Sequence, residues 1–393
     1  MKGNAVIGQS GGPTSVINAS LLGVIRGCLS QPGIGRIYGM KFGIQGFMEE
    51  NLLDLGAQPS PVLEGLRHTP GSALGSCRHK VRETDFPRIM EVMKKHDIRY
   101  FFLIGGNDTM DTIHRVERHC RENSFEMLGI GVPKTVDNDL FGTDHTPGFS
   151  SAARYVALSV LQEGILARDM RRVDQFVIFQ TVGRSAGWLA ASSALARQRE
   201  GDAPHIILMP ERPFVRENFL RDAGRCFQNY GFVSVVCGEG ITTADGKPVS
   251  ASTVTDKFRN VEFGAMGGTS AAMVLHQMLS REYGWRGEFE VTESLQMCAA
   301  DRAVELDREE AYACGFRAAE LAARGRTGVM VSLERQAGRS YSCALGEVPL
   351  VEVAEHAKPM PDKYIHPDGN DVTGEFLEYA RPLLGEMPDY IRF

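Results

Sequence analysis

The segment Pro133-Lys134-Thr135-Val136-Asp137-Asn138-Asp139 sets two carboxylates two residues apart, with a lysine three positions before the first. A carboxylate so placed can take the proton of an attacking hydroxyl while an ammonium neutralises charge on a transferring phosphoryl group. The competing reading is a solvated loop with a local ion pair, but so dense a set of charges in one turn favours chemistry. A second turn, Gly105-Gly106-Asn107-Asp108-Thr109, puts an amide and a carboxylate behind paired glycines. Glycines let a ligand approach the backbone, and the oxygens of Asn107 and Asp108 suit hard Mg2+, often through water. The alternative there is that Asp108 or Thr109 simply caps a helix. A third turn, Gly8-Gln9-Ser10-Gly11-Gly12-Pro13-Thr14, offers free amides at the positive end of a helix, where a phosphate would bind. It is neither a Walker loop nor a GxGxxG fingerprint, so a plain strand-to-helix turn stays open. Arg78 and Arg184 follow small-residue turns and are candidate anion clamps, although a single arginine also fits an ordinary surface. Glu239, between Gly238 and Gly240, suits recognition of hydroxyls or a helix cap.

Strands must hold these turns along a common edge, and short apolar runs stand just before each of them. They are Asn4–Ile7, Tyr100–Ile104, Met127–Val132, Gln175–Gln180, Ala203–Met209 and Phe232–Cys237. Amphipathic stretches follow several, one from about Ser15 to Leu29 and one ending at about Cys120. Strand, glycine turn, then helix describes βαβ units, an α/β fold and a mostly parallel sheet. Ligands of such sheets bind at the carboxyl ends of the strands, where these turns lie. Two other glycine runs are discarded. Gly33–Gly39 misses the dinucleotide spacing by one residue, and Gly240–Pro248 puts proline where a P-loop needs a hydroxyl. Residues 242–262 read as a polar surface excursion, and the stretch from Lys358, rich in proline and aromatics, is expected to pack on the body.

At 393 residues the chain exceeds one comfortable core, and a prior of about 150 residues per domain suggests two or three. Apolar residues at 43% and charged residues at 23% exclude wholesale disorder. A net charge of −6 argues against nucleic acid as a partner while leaving room for a local basic pocket. No apolar run nears the roughly 18 residues of a membrane span, and the N-terminus lacks a secretory stretch, so a cytoplasmic protein with no membrane partner is expected. Eight scattered cysteines with no C-x-x-C pair read as reduced thiols, not as a structural zinc site.

Taken in order, the segments resemble the phosphofructokinase family. Gly11-Gly12, Gly105–Thr109 and above all Pro133–Asp139 carry the likeness. Thr146-Pro147-Gly148-Phe149, Val182-Gly183-Arg184, Ala186-Gly187-Trp188 and Gly238-Glu239-Gly240 continue it, and it thins after Glu239. The closing Tyr379–Tyr390 segment resembles the pyrophosphate-using branch. The resemblance implies two Rossmann-like three-layer domains with mostly parallel sheets and an active site in the cleft between them. Residues 1–148 with about 298–345 would bind the phosphoryl donor, and about 149–297 with 346–393 the sugar phosphate. The implied reaction is phosphorylation of the 1-hydroxyl of fructose 6-phosphate, with Asp137 as general base and Asp139 supporting it and a Mg2+ network. Thr135, Val136, Val182, Gly183, Arg184 and, through sugar hydroxyls, Glu239 would contact substrate, while Gly12 and Arg78 would hold the donor. A homodimer or homotetramer is also implied.

The donor implied is inorganic pyrophosphate, in a reaction that runs both ways. Members that use ATP typically have glycine at the position of Asp108, which leaves room for the α-phosphate, and many have glycine at that of Lys134. Two positions depart from the family pattern. Asn107 stands where many relatives carry a magnesium-binding aspartate. Met297, in Ser294-Leu295-Gln296-Met297, stands where the family usually has an arginine that clamps the sugar 6-phosphate. Arg286 or another basic residue would then have to substitute. Other readings are an ATP-dependent kinase, a kinase of another phosphosugar such as sedoheptulose 7-phosphate, and a non-catalytic regulatory paralogue.

Overall fold

The computed structural model describes residues 1–250, 252, 254–255, 267–338 and 340–391. The chain divides into two units, Met1–Ser151 with Met297–Lys358, and Ala152–Gln296 with Pro359–Phe393. Strands are numbered in chain order: β1 (Gly3–Gln9), β2 (Ile34–Met40), β3 (Leu52–Asp54), β4 (Ile98–Gly105), β5 (Leu128–Pro133), β6 (Phe176–Thr181), β7 (Ile206–Leu208), β8 (Val233–Gly238), β9 (Gly287–Val291), β10 (Val329–Arg335) and β11 (Cys343–Pro349).

The first unit holds a seven-stranded sheet of order β11-β10-β5-β4-β1-β2-β3. Its centre is parallel, and the two edges, β2–β3 and β10–β11, are antiparallel. Both faces are covered, which is why the strands read as unbroken apolar runs. Ala5, Ile7, Phe102 and Ile104 enter one core with the helices Ile17–Leu29 and Glu305–Ala323. Val6, Phe101 and Leu103 enter the other with Phe86–Lys95, Asn107–Glu122 and Leu350–Glu355. On the first face, helices Ile17–Leu29 and Glu305–Ala323 touch backbone to backbone. A Cβ on Gly23 would lie 2.1 Å from the Tyr312 carbonyl oxygen, and one on Gly315 2.1 Å from that of Ser20.

β1 neighbours β2 on one side and β4 on the other, so successive strands add in opposite directions from it. The carboxyl ends of β1 and β4 therefore flank a topological switch point, where open α/β sheets bind ligands. Residues 346–358, as well as Met297 and 149–151, are expected with the second domain and belong to the first unit. The reason for 346–358 is β11, which pairs along its length with β10.

The second unit has a four-stranded parallel sheet of order β7-β8-β6-β9. The helices Arg216–Tyr230 and Ala271–Tyr283 cover one face of it. Its C-terminal stretch gathers Tyr364, Phe376 and Tyr379 around Trp188, with centroids 5.9, 6.4 and 5.4 Å from the indole. Aromatics expected to pack on the body do so here.

The six runs read as strands are β1, β4, β5, β6, β7 and β8. The discarded Gly33–Gly39 run is β2, and its glycines serve packing: a Cβ on Gly39 would lie 2.7 Å from Leu74 Cδ2. Of the expected excursion over 242–262, residues 251, 253 and 256–262 lie outside the described residues. Residues 242–250 make a turn closed by a Thr242–Pro248 bridge. The eight cysteines are free thiols. Among the described residues, no helix is long and apolar enough to cross a membrane.

Candidate active site

Three turns of the first unit converge at the ends of adjacent parallel strands β1, β4 and β5. After β1, the Ser10 N–H donates to the Ile104 carbonyl at 3.0 Å and the Gly11 N–H to that of Cys77 at 3.3 Å. The Ser76 hydroxyl bonds the Gly11 carbonyl at 2.6 Å, which draws the loop bearing Arg78 against the glycine turn. A buried amide pair fixes that loop further in: Gln9 Nε2 donates to Asn18 Oδ1 at 2.8 Å, and Gln9 Oε1 accepts from the Leu74 N–H at 3.0 Å. Gly11 adopts φ 76°, which favours glycine. Two of the amides expected to cradle a phosphate are thus already used, whereas the Gly12 N–H makes no hydrogen bond among the described residues. The helix that follows starts at Ile17, and no side chain caps it.

After β4, helix Asn107–Glu122 begins behind Gly106 without a side-chain cap. Asp108 is therefore not the cap that sequence left open. Its exposed carboxylate pairs instead with Lys80 Nζ at 3.1 Å. Gly105 has no room for a side chain, since a Cβ would lie 2.1 Å from Thr109 Oγ1. Asn107 Nδ2 donates to Asp139 Oδ2 at 3.1 Å, while Asn107 Oδ1 is buried and finds no partner among the described residues. A buried acceptor without a donor, beside a carboxylate, is what a hard cation would complete.

After β5, the Lys134 N–H donates to the Gly105 carbonyl at 3.1 Å, tying the two strand ends together. The Lys134 side chain is buried, and its Nζ donates to the Gly12 carbonyl at 2.7 Å. Burial pulls its pKa down to about 8, against Asp137 and Asp139, which hold the charge, and Arg78, which adds to the fall. Asp137 is half-buried, and its N–H donates to Thr135 Oγ1 at 3.1 Å. Asn138 turns the chain between the two carboxylates at φ 56°. Burial pushes the Asp139 carboxyl above its ordinary range, opposed by Lys358, Lys134 and the Asn107 amide. Val136 is buried, and Thr135 bridges to Gly148 in the Thr146–Phe149 segment. Arg78 is exposed, with no ion pair among the described residues.

The second unit carries its own set, at the ends of adjacent parallel strands β6 and β8. Thr181 and Gly238 are partners in register, so Val182-Gly183-Arg184 and Glu239 emerge side by side. The Glu239 N–H donates to the Thr181 carbonyl at 3.0 Å, and Glu239 Oε1 accepts from the Gly183 N–H at 3.3 Å. Gly183 holds φ 122°, and a Cβ on Gly240 would lie 1.8 Å from the Arg184 carbonyl oxygen. Only glycine lets these two turns close on each other. Arg184 is exposed and Val182 half-buried.

A family model described as phosphofructokinase matches residues 4–322. The chain belongs to the phosphofructokinase family. A curated pyrophosphate--fructose 6-phosphate 1-phosphotransferase from Halomonas elongata is 38% identical over 388 residues, covering 97% of this chain and 91% of the relative. The solved pyrophosphate-dependent phosphofructokinase from Nitrosospira multiformis is 38% identical with a TM-score of 0.89, over 99% of this chain and 93% of that one. A sulfofructose kinase from Alkalicoccus urumqiensis is 32% identical over 95% of this chain and 94% of its own length.

Against the family pattern, Met297 lies in the first unit, its Sδ 3.4 Å from where a Cβ on Gly12 would stand. Arg286, considered as its substitute, pairs with Asp174 at 2.8 Å and sits in the second unit. Sequence reasoning missed Lys358. Its ammonium donates to Asn138 Oδ1 at 3.2 Å and to the carbonyls of Thr143 and Asp144 at 3.0 and 2.8 Å. The local signal was slight: a lysine wedged before Pro359, far along the chain from the turn it serves.

Proposed function

We propose that this chain transfers a phosphoryl group reversibly between inorganic pyrophosphate and the 1-hydroxyl of fructose 6-phosphate, giving fructose 1,6-bisphosphate and phosphate. The observation that carries the reading is the buried Lys134 ammonium on the Gly12 carbonyl, three residues before Asp137. The names of the relatives at 38% identity support it.

In the forward direction Asp137 accepts the proton of the 1-hydroxyl as that oxygen bonds the transferring phosphorus. The bridging oxygen of pyrophosphate leaves on inorganic phosphate. Lys134 and Arg78 balance the charge of the donor, and the Gly12 amide donates to one of its oxygens. Asn107 and Asp139 would hold a Mg2+ ion, which when bound offsets phosphate charge; the orphaned Asn107 Oδ1 fits that role. Asp108 occupies the space a nucleotide α-phosphate would need. The first unit thus carries the donor residues together with Asp137, Thr135 and Val136, which meet the acceptor's reacting end. The second carries the other acceptor residues, with Glu239 on sugar hydroxyls and Val182, Gly183 and Arg184 on the sugar phosphate. The reading includes a cytoplasmic homodimer or homotetramer, which light scattering of the purified chain tests.

A second reading takes a fructose with another anionic group at C6 as the acceptor. One relative named a sulfofructose kinase favours it, and Met297 leaves a 6-phosphate dianion without the arginine of the family pattern, which a singly charged sulfonate needs less. Turnover with magnesium separates the cases, pairing pyrophosphate or ATP with fructose 6-phosphate or its 6-sulfonate analogue. Activity with pyrophosphate and fructose 6-phosphate is expected. Turnover with ATP alone overturns the donor, and turnover with the sulfonate alone overturns the acceptor.

A further inference from the structure

We infer that Lys358 is a positioning residue that locks the Asp137–Asp139 turn in its reactive shape. The inference rests on Asp137 being the base of the proposed reaction. Nothing in the family pattern read from the sequence points to Lys358; its contacts do.

An ammonium has three N–H donors, and each finds an oxygen here: Asn138 Oδ1 and the carbonyls of Thr143 and Asp144. The backbone of the same residue grips the turn as well, its N–H donating to the Asp139 carbonyl at 2.8 Å. One position further back, Ala357 bridges to Leu140. A single residue, the last of the first unit, therefore holds the segment 138–144 by side chain and main chain together.

That segment needs holding. Asn138 is fully buried at φ 56°, in the left-handed region that only asparagine, aspartate and glycine visit readily. Such backbone persists where its surroundings over-determine it. The reversal at Asn138 decides where Asp137 points relative to Asp139, and reacting groups misplaced by about 1 Å lose on the order of 10²-fold in rate.

The anchor for Lys358 is itself rigid. The Asp144 carboxylate takes His145 Nδ1 at 2.9 Å and Arg335 Nε at 3.1 Å, and the other ring nitrogen of the fully buried His145 meets Glu310 at 2.7 Å. The Asp144 N–H and the Thr143 hydroxyl both bond Leu333 of β10, at 2.8 and, through the Leu333 N–H, 2.9 Å. The carbonyls that Lys358 grips are thus fastened to the sheet. Lys358 is partly exposed as a residue, but its ammonium end is deep, and burial draws its pKa down to about 7 against the carboxylates of Asp144 and Asp139. A side chain so placed is not a surface lysine.

The test uses the full chain with Lys358→Met, which keeps length and removes the donors, and Asn138→Gly, which keeps the left-handed turn and removes the acceptor. Each is measured for kcat and KM with pyrophosphate, fructose 6-phosphate and magnesium, and for hydrogen–deuterium exchange across the chain. Expected are a 10- to 100-fold fall in kcat, KM values within about threefold, and faster exchange confined to 137–144. Unchanged kcat, or KM rising with kcat intact, overturns the role. So does exchange that quickens throughout the first unit, which marks a merely structural lysine. Should wild-type protein not turn over these substrates, the proposed function fails separately. The exchange pattern of Lys358→Met then still decides: confinement to 137–144 supports the lock, and unchanged exchange there overturns it.

Discussion

Lys134 Nζ donates to the Gly12 carbonyl at 2.7 Å, so the strand end that carries the two aspartates is bonded to the glycine turn proposed to receive the donor. This places a buried positive charge beside the Gly12 amide, which makes no hydrogen bond among the described residues. A compact dianion or trianion meets both together, and its approach restores charge that burial disfavours.

Lys134 sets the first prediction, because burial holds its pKa down to about 8 from the ordinary 10.5. Below about pH 8 the ammonium is charged and can meet the donor. As pH rises through 8 the free enzyme loses that charge, so kcat/KM for pyrophosphate falls there. Stability runs the other way. The unfolded chain holds this proton between about 8 and 10.5 and the folded one does not, so the burial penalty is full below 8 and fades as pH rises. Lys134→Met is expected to abolish the limb near pH 8 and raise KM for pyrophosphate at pH 7. A limb that survives in the variant assigns it to another group.

Asp137 sits three residues on, half-buried, its backbone pinned to Thr135 Oγ1. Asp137→Ala removes the proton acceptor without disturbing that bond. A loss of at least about 10²-fold in turnover is expected, with little change in melting temperature. Near-normal turnover would remove Asp137 from the role of base.

Much of this could be read from the chain, for a physical reason. Residues of a strand-turn-helix unit are neighbours in sequence and space, so Gly11-Gly12, Gly105–Thr109 and Pro133–Asp139 announced themselves. The six strands before such turns did too, being buried on both faces. β2 escaped because its glycines, which seat Leu74 and Asn4 closely, imitate a failed dinucleotide fingerprint. β10 and β11 escaped because no functional turn follows them. Lys358 was invisible because its partners lie more than 200 positions earlier, at Asn138 and Thr143. The boundary drawn at 345 cut through β11, whose antiparallel pairing with β10 no functional turn marks. Asp108 was legible as a residue but not in its pairing with Lys80, which no spacing rule contains.

That pairing sharpens the donor prediction. Asp108 is 77% exposed at its side chain and its carboxylate is oriented by Lys80, so it can guard a space without supporting the fold. An exposed pair of this kind contributes at most about 1 kcal/mol to stability. Asp108→Gly is accordingly expected to leave the melting temperature within a few degrees and to raise kcat/KM for ATP relative to pyrophosphate. A donor preference that stays unchanged means Asp108 is not the gate.

Glu239 offers the corresponding test for the acceptor. Its Oε1 accepts from the Gly183 N–H at 3.3 Å, so the carboxylate shapes the Val182–Arg184 turn as well as presenting an anionic acceptor to sugar hydroxyls. Glu239→Gln keeps an oxygen for Gly183 and removes the charge; Glu239→Ala removes both. Hydrogen bonds to a charged group are worth about 1–2 kcal/mol more than neutral ones, roughly a 5- to 30-fold rise in KM. The glutamine variant is therefore expected to raise KM for fructose 6-phosphate by that factor while KM for pyrophosphate stays put. The alanine variant should add a fall in kcat, because the turn bearing Arg184 loses its tie. Equal shifts in both KM values would place Glu239 outside the acceptor site, and identical behaviour of the two variants would deny the carboxylate any part in shaping the turn.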